Sequence, residues 1–488
     1  MGALVAAITK TGENVVPKVV TMLTELEHRG RACHGVATPD SLSSATKLEE
    51  LEFAKLHSNI ALGYNLSAVL PRDKPQPVIG DSFSVIFEGR LYPSPEPPEL
   101  SEVDVAIDLL ASNPLKKAGY ILEKMFGSYA FALAESDRLI VGRERFGTTP
   151  LYYGENQILC AVASERKALW KLGLDNVQSF PPGKLSIITN QGFSFRITKP
   201  LWFPPKEKID METAANALEL LLLESIRKQL SDVEKVAIAF SGGVDSTVVA
   251  ALAKTVGIDI RLISVGLENQ PEIMFARKVA DTLELPIHIQ TYEVADLEST
   301  LEKVLWLTEE NNPVNACIAV PFYWLAETAR KLGCPVLLAG QGGDELFGGY
   351  HRYLTEYAER GAENVEETMF KDIVNANNTN FQRDNHVCSY YGVELRLPFI
   401  DWDVIDFVFR LPFRLKINSV EDKLRKRVLR LVAKKLDVPS FLADKQKKAI
   451  QYTTGVTKAL QQKARNEDLT LQKYINKIFL KVYPNRKS

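Results

Sequence analysis

The chain has 488 residues, which predicts two or three compact domains and excludes a purely linker-like role. Apolar residues make up 45% of the chain and charged residues 25%, a composition typical of globular proteins and not of disordered or fibrous ones. Because 59 Lys and Arg are balanced by 61 Asp and Glu, the net charge of −2 provides no overall field for binding nucleic acid or an anionic membrane.

The sequence has no pattern typical of membrane or secreted proteins. No apolar stretch reaches the roughly 20 residues that a bilayer-spanning helix needs, and the N-terminus does not resemble a signal peptide, so we expect a cytoplasmic location. The cysteines are widely scattered and lack the spacing of a zinc site or a disulfide framework. We expect all five to be free thiols: Cys33, Cys160, Cys317, Cys334 and Cys388.

The first half of the chain is dominated by patterns of short strands. Apolar or alternating runs predict strands at residues 4–8, 84–87, 128–133, 138–141 and 158–162. Helical spacing occurs between them, at residues 19–26 and 103–110. This order predicts an α+β domain in which antiparallel sheets stack and a few helices lie outside them.

A proline-rich stretch at residues 199–206 ends this pattern, so we predict one domain at residues 1–200 and a second at 201–488. The second domain begins with a helix at 211–230 and continues with alternating strands and helices. The predicted strands are 236–240, 260–265, 287–291 and 336–339, and the predicted helices are 246–254, 272–283 and 322–332. This alternation predicts an α/β parallel sheet covered on both faces, and from about residue 355 the chain is mostly helical.

The segment Ser241-Gly242-Gly243-Val244-Asp245-Ser246-Thr247 directly follows the first of these strands. Its glycines allow the backbone to approach a polyphosphate closely, and its amides, its hydroxyl groups and the following helix N-terminus favour anionic oxygens. The spacing is not that of a Walker loop. We expect Asp245 to hold Mg²⁺ against the phosphates, because this hard cation prefers carboxylate oxygen. The alternative is a plain turn without a ligand.

A second glycine-rich loop, Ala339-Gly340-Gln341-Gly342-Gly343-Asp344-Glu345, follows another predicted strand. Ligands of parallel sheets bind outside the carboxyl ends of the strands, so we expect this loop to face the first one across a crevice. Asp344 is then a second carboxylate for Mg²⁺. An acidic N-cap that opens a helix at Glu345 is the structural alternative, and it is compatible with the metal role.

The first loop resembles the ATP loop of the N-type ATP pyrophosphatases, which cleave ATP between the α and β phosphates. Together with Val265-Gly266, the second loop and residues 393–401, it resembles the synthetase domain of the asparagine synthetase B family. The resemblance implies that aspartate attacks the α-phosphorus of ATP to give β-aspartyl-AMP, from which ammonia displaces AMP. The ATP-binding residues that it implies are Phe240, Ser241, Gly242, Gly243, Val244, Asp245, Ser246, Val265, Gly266, Ala339 and Gly340.

The same resemblance assigns Lys447 to the family's catalytic lysine, which stabilises charge on the phosphates, although a surface lysine run is an alternative for this cluster. Two positions depart from the family. Gln341 stands where the family commonly has a glutamate that accepts a proton from ammonia, and an amide cannot act as a base near neutral pH. Cys317 stands at or near a family arginine, so a cation expected beside the acyl-adenylate is missing. These departures leave the acceptor acid open.

The first half of the chain resembles the class II glutamine amidotransferase domain, which has an Ntn-hydrolase-like fold. The matching segments are residues 28–30, 76–77, 87–92, 143–147, 150–153, 163–165 and 180–183. In that class, a cysteine directly after the initiator methionine attacks the amide of glutamine, and its own α-amine serves as the base. This chain has Gly2 at that position, and glycine has no nucleophile.

Other positions of the glutaminase site have changed as well. Asn65 replaces the arginine that binds the carboxylate of glutamine, and Glu88-Gly89-Arg90 replaces an N-G-E segment that supplies the oxyanion donor. Asp104 alone keeps a residue suited to bind the substrate amine. We therefore expect a structural or regulatory domain that has lost glutamine hydrolysis, with nitrogen arriving as free ammonia or from another protein.

The residues and the resemblance together predict an AMP-forming amide ligase that depends on ATP and Mg²⁺ and makes asparagine from aspartate and ammonia. Two alternatives stay open: a related adenylating ligase that acts on another carboxylic acid or on tRNA, and a non-catalytic partner protein. We expect small-molecule substrates, with neither a membrane nor a nucleic acid as partner. The oligomeric state is open and includes a homodimer.

Overall fold

The structure is a computed structural model that describes residues 2–197, 201–443 and 450–486. These residues form two compact units. The first unit comprises the chain up to Leu201 together with Ser389–Gly392, and the second comprises Trp202–Cys388 and the chain from Val393 onward. Each described helix is too short or too polar to cross a membrane.

The strands alternate with turns through the first unit and with helices through the second. They are β1 (Gly2–Thr9), β2 (Cys33–Ala37), β3 (Leu42–Ala45), β4 (Ile60–Leu66), β5 (Val78–Ile79), β6 (Ser84–Leu91), β7 (Gly127–Ala134), β8 (Leu139–Arg143), β9 (Tyr152–Glu155), β10 (Leu159–Ala163), β11 (Gln178–Ser179), β12 (Lys184–Thr189), β13 (Gly192–Ile197), β14 (Lys235–Ala239), β15 (Asp259–Leu267), β16 (Ile287–Tyr292), β17 (Val336–Leu338) and β18 (Glu394–Arg396).

The helices are concentrated in the second unit. They are α1 (Val16–Glu25), α2 (Glu102–Leu110), α3 (Pro114–Lys124), α4 (Arg166–Lys171), α5 (Met211–Leu230), α6 (Val244–Lys254), α7 (Pro271–Thr282), α8 (Leu297–Thr308), α9 (Pro313–Lys331), α10 (Gly343–Phe347), α11 (His351–Arg360), α12 (Ala362–Ala376), α13 (Gln382–Tyr390), α14 (Trp402–Arg410), α15 (Arg427–Lys435), α16 (Ser440–Ala443), α17 (Ile450–Thr453), α18 (Val456–Asn466) and α19 (Leu471–Val482). A π-helical turn, Asn377–Phe381, joins α12 to α13.

The first unit contains two antiparallel sheets. Their strand orders are β11-β9-β10-β1-β4-β2-β3 and β13-β12-β8-β7-β6-β5. Strand β1 lies inside the first sheet, where Val5 pairs with Ala163 on one side and with Gly63 on the other. All residues of β1 are buried, because both faces of this sheet are covered.

An apolar core joins the two sheets face to face. Leu4 and Leu62 contribute to it from the first sheet, and Ile86 and Val141 from the second. Helices α1 and α4 pack on the outer face of the first sheet, and α2 and α3 pack on the outer face of the second. The predicted α+β fold, with stacked antiparallel sheets and helices outside, is therefore confirmed.

The second unit contains a parallel sheet with the strand order β16-β15-β14-β17-β18. The chain proceeds outward from β14 to β15 and β16, and then returns to place β17 on the other side of β14. Such a reversal opens a crevice outside the carboxyl ends of the two strands, and ligands of α/β sheets bind there. The predicted α/β parallel sheet and the helical region after it are confirmed.

Two elements of the second unit differ from the sequence expectation. Helix α9 begins at Pro313 and not at residue 322, because the side chain of Asn312 caps it by accepting the N–H groups of Val314 and Asn315. Strand β18 has only three residues, too few for an alternating pattern to indicate a strand. Its Arg396 is buried in ion pairs with Asp232 and Glu394.

Candidate functional site

A cavity of about 660 Å³ opens at the carboxyl ends of β14 and β17, a size typical of small-molecule sites. Residues from both glycine-rich loops line it, so the structure brings together the two loops that the sequence placed at one crevice. The predicted site residues on its wall are Phe240, Ser241, Asp245, Ser246, Val265, Ala339, Gly340 and Asp344.

The first loop is held in shape by hydrogen bonds among its own residues. Ser246 Oγ accepts the N–H of Ser241 at 3.3 Å and donates to the carbonyl of Gly243 at 3.1 Å. Ser241 Oγ in turn accepts the N–H of Gly243 at 3.3 Å. Gly242 has a φ of +67°, a conformation that favours glycine. The loop therefore presents backbone amides and the positive end of α6 to an anion.

The second loop packs directly against Asp245. A Cβ atom at Gly340 would lie 3.1 Å from Asp245 Cβ, and one at Gly343 would lie 3.0 Å from Asp245 Cγ. A side chain at either position would press on Asp245, which would then have to shift by a few tenths of an ångström. Asp344 lies in the first turn of α10, whose N-cap is Gly342, so the alternative that Asp344 is an N-cap is wrong.

Lys426 binds the carboxylates of both loops. Its Nζ lies 2.7 and 2.5 Å from the two oxygens of Asp245 and 2.5 Å from Asp344 Oδ1. Burial of this side chain lowers its pKa, but the two carboxylates outweigh burial and raise the pKa above the ordinary value of 10.5. The buried ammonium therefore stays charged and fixes the positions of both carboxylates.

Asp245 and Asp344 fit a Mg²⁺ ion bound together with a nucleotide. Both line the cavity, and their nearest oxygens lie no more than about 5 Å apart, because each is 2.5 Å from Lys426 Nζ. Mg²⁺ commonly takes one or two carboxylates and completes its shell with phosphate oxygens and water. Among the described residues, no group of three or more His, Cys, Asp or Glu side chains could hold a metal ion.

Gln341 connects the second loop to α13. Its Nε2 donates to Asp384 Oδ2 at 2.5 Å. Arg383 donates to both oxygens of the same carboxylate, through Nε at 2.7 Å and Nη2 at 3.0 Å. Asp384 has no solvent exposure, and this burial raises its pKa although Arg383 and Gln341 oppose the rise. The carboxylate is thus surrounded by three hydrogen-bond donors.

Arg383 also supplies a cation to the cavity wall. It lines the cavity, and its Nη1 donates to Asn315 Oδ1 of α9 at 3.3 Å. Cys317, the position where the sequence indicated a missing arginine, lies two residues further along α9 and is buried, which raises the pKa of its thiol. The tertiary structure therefore provides a guanidinium beside α9 that comes from α13.

The cavity wall also carries a buried acid and a tyrosine. Glu345 Oε1 accepts hydrogen bonds from Tyr350 Oη and Asn380 Nδ2, each at 2.7 Å. Burial, and then the charge of Glu345, raises the pKa of Tyr350 well above its ordinary value. Tyr350 is therefore neutral near neutral pH, and its hydroxyl hydrogen is directed at Glu345.

Some predicted site residues support the cavity without lining it. Gly242 packs on α7, Gly243 and Val244 begin the turn into α6, and Gly266 packs against Ile273 and Thr454. Lys447 lies outside the described residues.

The first unit has a small pocket beside Glu88-Gly89-Arg90, and ion pairs fill it. Arg90 donates to both oxygens of Asp73, at 2.5 and 2.9 Å, and to Glu102 at 3.3 Å. Arg72 binds the other oxygen of Glu102 at 2.7 Å. The space that remains is about 10 Å³, which is room for about one water molecule.

Residues next to this pocket also form hydrogen bonds and close contacts within the protein. Glu88 accepts the N–H of Gly2 at 3.1 Å and the hydroxyl of Tyr64 at 2.6 Å. A Cβ at Gly2 would lie 2.0 Å from the carbonyl oxygen of Asn65, so this backbone has no room for a side chain there. The Asn65 amide donates to the carbonyl of Leu23 at 2.8 Å.

Two further positions considered for glutamine chemistry have structural partners. Asp104 accepts the N–H of Ser101 in the capping box of α2 and forms an ion pair with Lys74 at 2.6 Å. Gly89 has a φ of +110°, and a Cβ there would lie 2.0 Å from the carbonyl oxygen of Ser128.

Comparison with known protein families agrees with this geometry. The model of the asparagine synthase family matches residues 217–363 and 355–481, which together cover more than half of the 488 residues. The chain belongs to the asparagine synthase family. A glutamine amidotransferase domain model matches residues 64–171. The family relationship predicted from the motifs is confirmed.

Individual members of the asparagine synthase family match over different lengths. A putative glutamine-hydrolysing asparagine synthetase of Methanocaldococcus jannaschii is 28% identical over 95% of this chain and 96% of its own length. The glutamine-hydrolysing asparagine synthetase B of Escherichia coli is 27% identical over 70% of this chain and 63% of its own. A solved glutamine phosphoribosylpyrophosphate amidotransferase of B. subtilis, 15% identical, matches 59% of this chain and 80% of its own with a TM-score of 0.37.

Sequence reasoning missed two features of this asparagine synthase site. Lys426 lies in the run Lys423-Leu424-Arg425-Lys426-Arg427, which resembles an exposed basic segment. Its left-handed φ of +52° at the start of α15 gives no signal in the sequence. Arg383 and Asp384 are adjacent in sequence and have the pattern of a surface pair on a helix. Only the tertiary structure shows that both are buried and that Arg383 lines the cavity.

Proposed function

We propose that this member of the asparagine synthase family is an AMP-forming ligase that activates the side-chain carboxylate of aspartate with ATP and aminates it with ammonia. One observation carries the proposal. Asp245 and Asp344, from two different loops, meet at the buried ammonium of Lys426 on the wall of the cavity. This arrangement suits the binding of a metal–nucleotide complex at a fixed position.

The residues of the two loops have different roles in adenylation. The amides at the start of α6, with Ser241 and Ser246, bind phosphate oxygens. Asp245 and Asp344 hold Mg²⁺, which when bound neutralises charge on the polyphosphate. Lys426 keeps the two carboxylates in place. The acid's carboxylate oxygen then bonds to the α-phosphorus while the bond to pyrophosphate breaks. We propose that Lys447, outside the described residues, also stabilises the phosphates.

The charges on the cavity wall support an amino acid as the acceptor. Arg383 and Arg352, the latter paired with Asp372, provide positive charge there, and Glu345 provides negative charge. An α-amino dicarboxylic acid carries charges of both signs and can bind to such a wall at both ends. Aspartate is the acid of this kind that gives asparagine, and other carboxylic acids are outcomes of the test below.

The filled pocket of the first unit supports free ammonia as the nitrogen source. The ion pairs of Arg90 with Asp73 and Glu102, and of Arg72 with Glu102, leave little space at this pocket. The remaining volume of about 10 Å³ is far too small for glutamine. Breaking such buried pairs to admit a substrate is costly, because each charge left alone in the interior is strongly destabilising. We therefore propose that the first unit has no glutaminase activity of its own.

The test measures pyrophosphate release and amide formation by the purified full-length chain with ATP, Mg²⁺ and a panel of carboxylic acids. We expect aspartate to stimulate pyrophosphate release, ammonium to give asparagine and AMP, and glutamine to give no product. An Asp245→Asn variant serves as the inactive control. The absence of acid-dependent pyrophosphate release would refute the ligase. Glutamate release from glutamine at the rate of amide formation would refute the ammonia assignment.

A matched variant tests why glutamine is not used. Gly2→Cys introduces the thiol that class II amidotransferases use, but we expect it to leave glutamine unhydrolysed, because the side chain meets the Asn65 carbonyl and the substrate pocket is filled. Measurable glutaminase activity in this variant would show that position 2 alone accounts for the loss. Circular dichroism and ammonium-dependent synthesis check that the variant is folded.

A further inference from the structure

Gln341 lies on the cavity wall, in the second loop and next to the first. The preceding residue, Gly340, packs so closely on the first loop that a Cβ there would lie 3.4 Å from the N–H nitrogen of Ser246. Asp344 follows three residues later, and Gln341 itself lines the cavity. A group held at this place is adjacent to both loops, where the acyl-phosphate bond forms under the proposed function.

The hydrogen bond to Asp384 determines which atom of the Gln341 amide, the nitrogen or the oxygen, faces Asp384. Asp384 Oδ2 lies 2.5 Å from the Gln341 nitrogen and also accepts Arg383 Nη2 at 3.0 Å. A carboxylate paired with a guanidinium is an acceptor only, so placing the amide oxygen there would bring two acceptors together. Nε2 must therefore face Asp384, and Oε1 points away from it.

Asp384 is suited to hold the amide in this orientation and does not itself meet the substrate. It has no solvent exposure, and it is not among the residues that line the cavity. Arg383 binds both of its oxygens, which keeps the carboxylate from rotating. Gln341 is thus an amide with one end anchored and the other available as a hydrogen-bond acceptor.

We propose that Gln341 Oε1 accepts an N–H of the incoming ammonia and that Asp384 is the positioning residue that turns this oxygen towards the cavity. This inference rests on the proposed function. With one N–H held by Oε1, the nitrogen lone pair is directed at the acyl carbon. The C–N bond forms, the bond from the acyl carbon to the phosphate oxygen breaks, and AMP leaves. The proton lost from nitrogen passes to the AMP phosphate or to water, because an amide oxygen is too weak a base to keep it.

The experiment separates the nitrogen step from adenylation in the full-length protein. Acid-dependent pyrophosphate exchange reports adenylation, and the dependence of amide formation on ammonium concentration gives KM for ammonium. In Asp384→Asn, the new side chain can donate to Oε1 as well as accept from Nε2, so the Gln341 amide loses its fixed orientation. With the acid at saturation, because the change also removes a partner of Arg383, we expect KM for ammonium to rise about tenfold, the size of one hydrogen bond, with pyrophosphate exchange within twofold of wild type.

A polarity swap gives a readout that a merely structural role would not produce. Gln341→Glu alone brings two carboxylates together and should slow amide formation at least tenfold. Gln341→Glu combined with Asp384→Asn restores one amide and one carboxylate, and we expect it to recover most of that loss. Failure of the double variant to exceed the single Gln341→Glu variant would overturn the inference.

Two further variants keep the test decisive. If Asp384→Asn does not fold, Gln341→Met removes the acceptor while the buried pair of Arg383 and Asp384 stays, and KM for ammonium should again rise. Asp406→Asn is the matched control, because it breaks an aspartate–arginine pair with Arg410 on α14, away from the cavity. An unchanged KM for ammonium in Gln341→Met, with normal pyrophosphate exchange, overturns this inference and leaves the proposed function standing. No acid-dependent exchange in wild type overturns both.

Discussion

Replacing Lys426 with methionine removes the cation between Asp245 and Asp344 while keeping a side chain of similar length. The wild-type ammonium is fully buried and lies 2.5 Å from one oxygen of each aspartate. The variant leaves these two carboxylates close to each other without the ammonium between them. We therefore expect Lys426→Met to lose stability through both desolvation and repulsion.

The size of this loss follows from the geometry. The nearest oxygens of the two aspartates lie no more than about 5 Å apart, and two like charges at that distance repel by about 3 kcal/mol at an effective dielectric constant of about 20. Removing one partner of a buried ion pair typically costs about 3 to 5 kcal/mol. We expect the free energy of unfolding of the second unit to fall by that amount.

Urea denaturation at several pH values measures the loss, and Lys423→Met, an exposed lysine of the same segment, is the control. The folded-state pKa of Lys426 is raised, so its own stabilising contribution is complete below pH 10.5 and disappears as pH rises through the higher folded value. Millimolar Mg²⁺ should stabilise Lys426→Met more than wild type. A loss below about 1 kcal/mol, or an equal response to Mg²⁺, would refute the reasoning.

Three other outcomes can be measured with the same preparations. Burial lowers the pKa of Lys416 to about 8 despite its ion pair with Glu366, so the stability of wild type relative to Lys416→Met should rise by on the order of 3 kcal/mol between pH 8 and 10.5, as denaturation curves would show. Gly343→Ala, whose Cβ presses on Asp245 Cγ, should slow pyrophosphate release at least tenfold, and an unchanged rate would contradict the packing. Gly119→Ala, in open space within α3, should raise the free energy of unfolding by about 0.5 to 1 kcal/mol and leave that rate unchanged.

The sequence predicted an element correctly where the residues of that element by themselves determine its structure. Helix α5 occupies the predicted range, Met211–Leu230, because its apolar spacing and the Asp210 cap agree. Strand β14 and the loop after it were indicated by a buried apolar run followed by glycines. Helix α9 begins earlier than its apolar pattern, since an asparagine cap and a proline at the first turn extend it to Pro313.

The functional site was only partly predictable for the same reason. Asp245 and Asp344 could be found because each lies in a glycine-rich loop after a strand, and the parallel sheet brings such loops together. Lys426 could not be found, since a lysine among other basic residues is usually exposed and only long-range packing buries this one. The anchoring of Gln341 by Asp384 depends on a contact between residues 43 positions apart, which no local pattern encodes.

The sequence by itself determined the two kinds of sheet, the two glycine-rich loops and the family. These features depend on residue type and spacing, which act over a few residues and can be recognised in a single sequence. Only the tertiary structure decided that Lys426 joins the two aspartates, that Arg383 reaches the cavity wall, and that Arg90 and its acidic partners fill the pocket of the first unit. The physical reason is that burial and charge pairing arise between distant segments, so the pKa and the partner of a side chain are fixed only when the chain has folded.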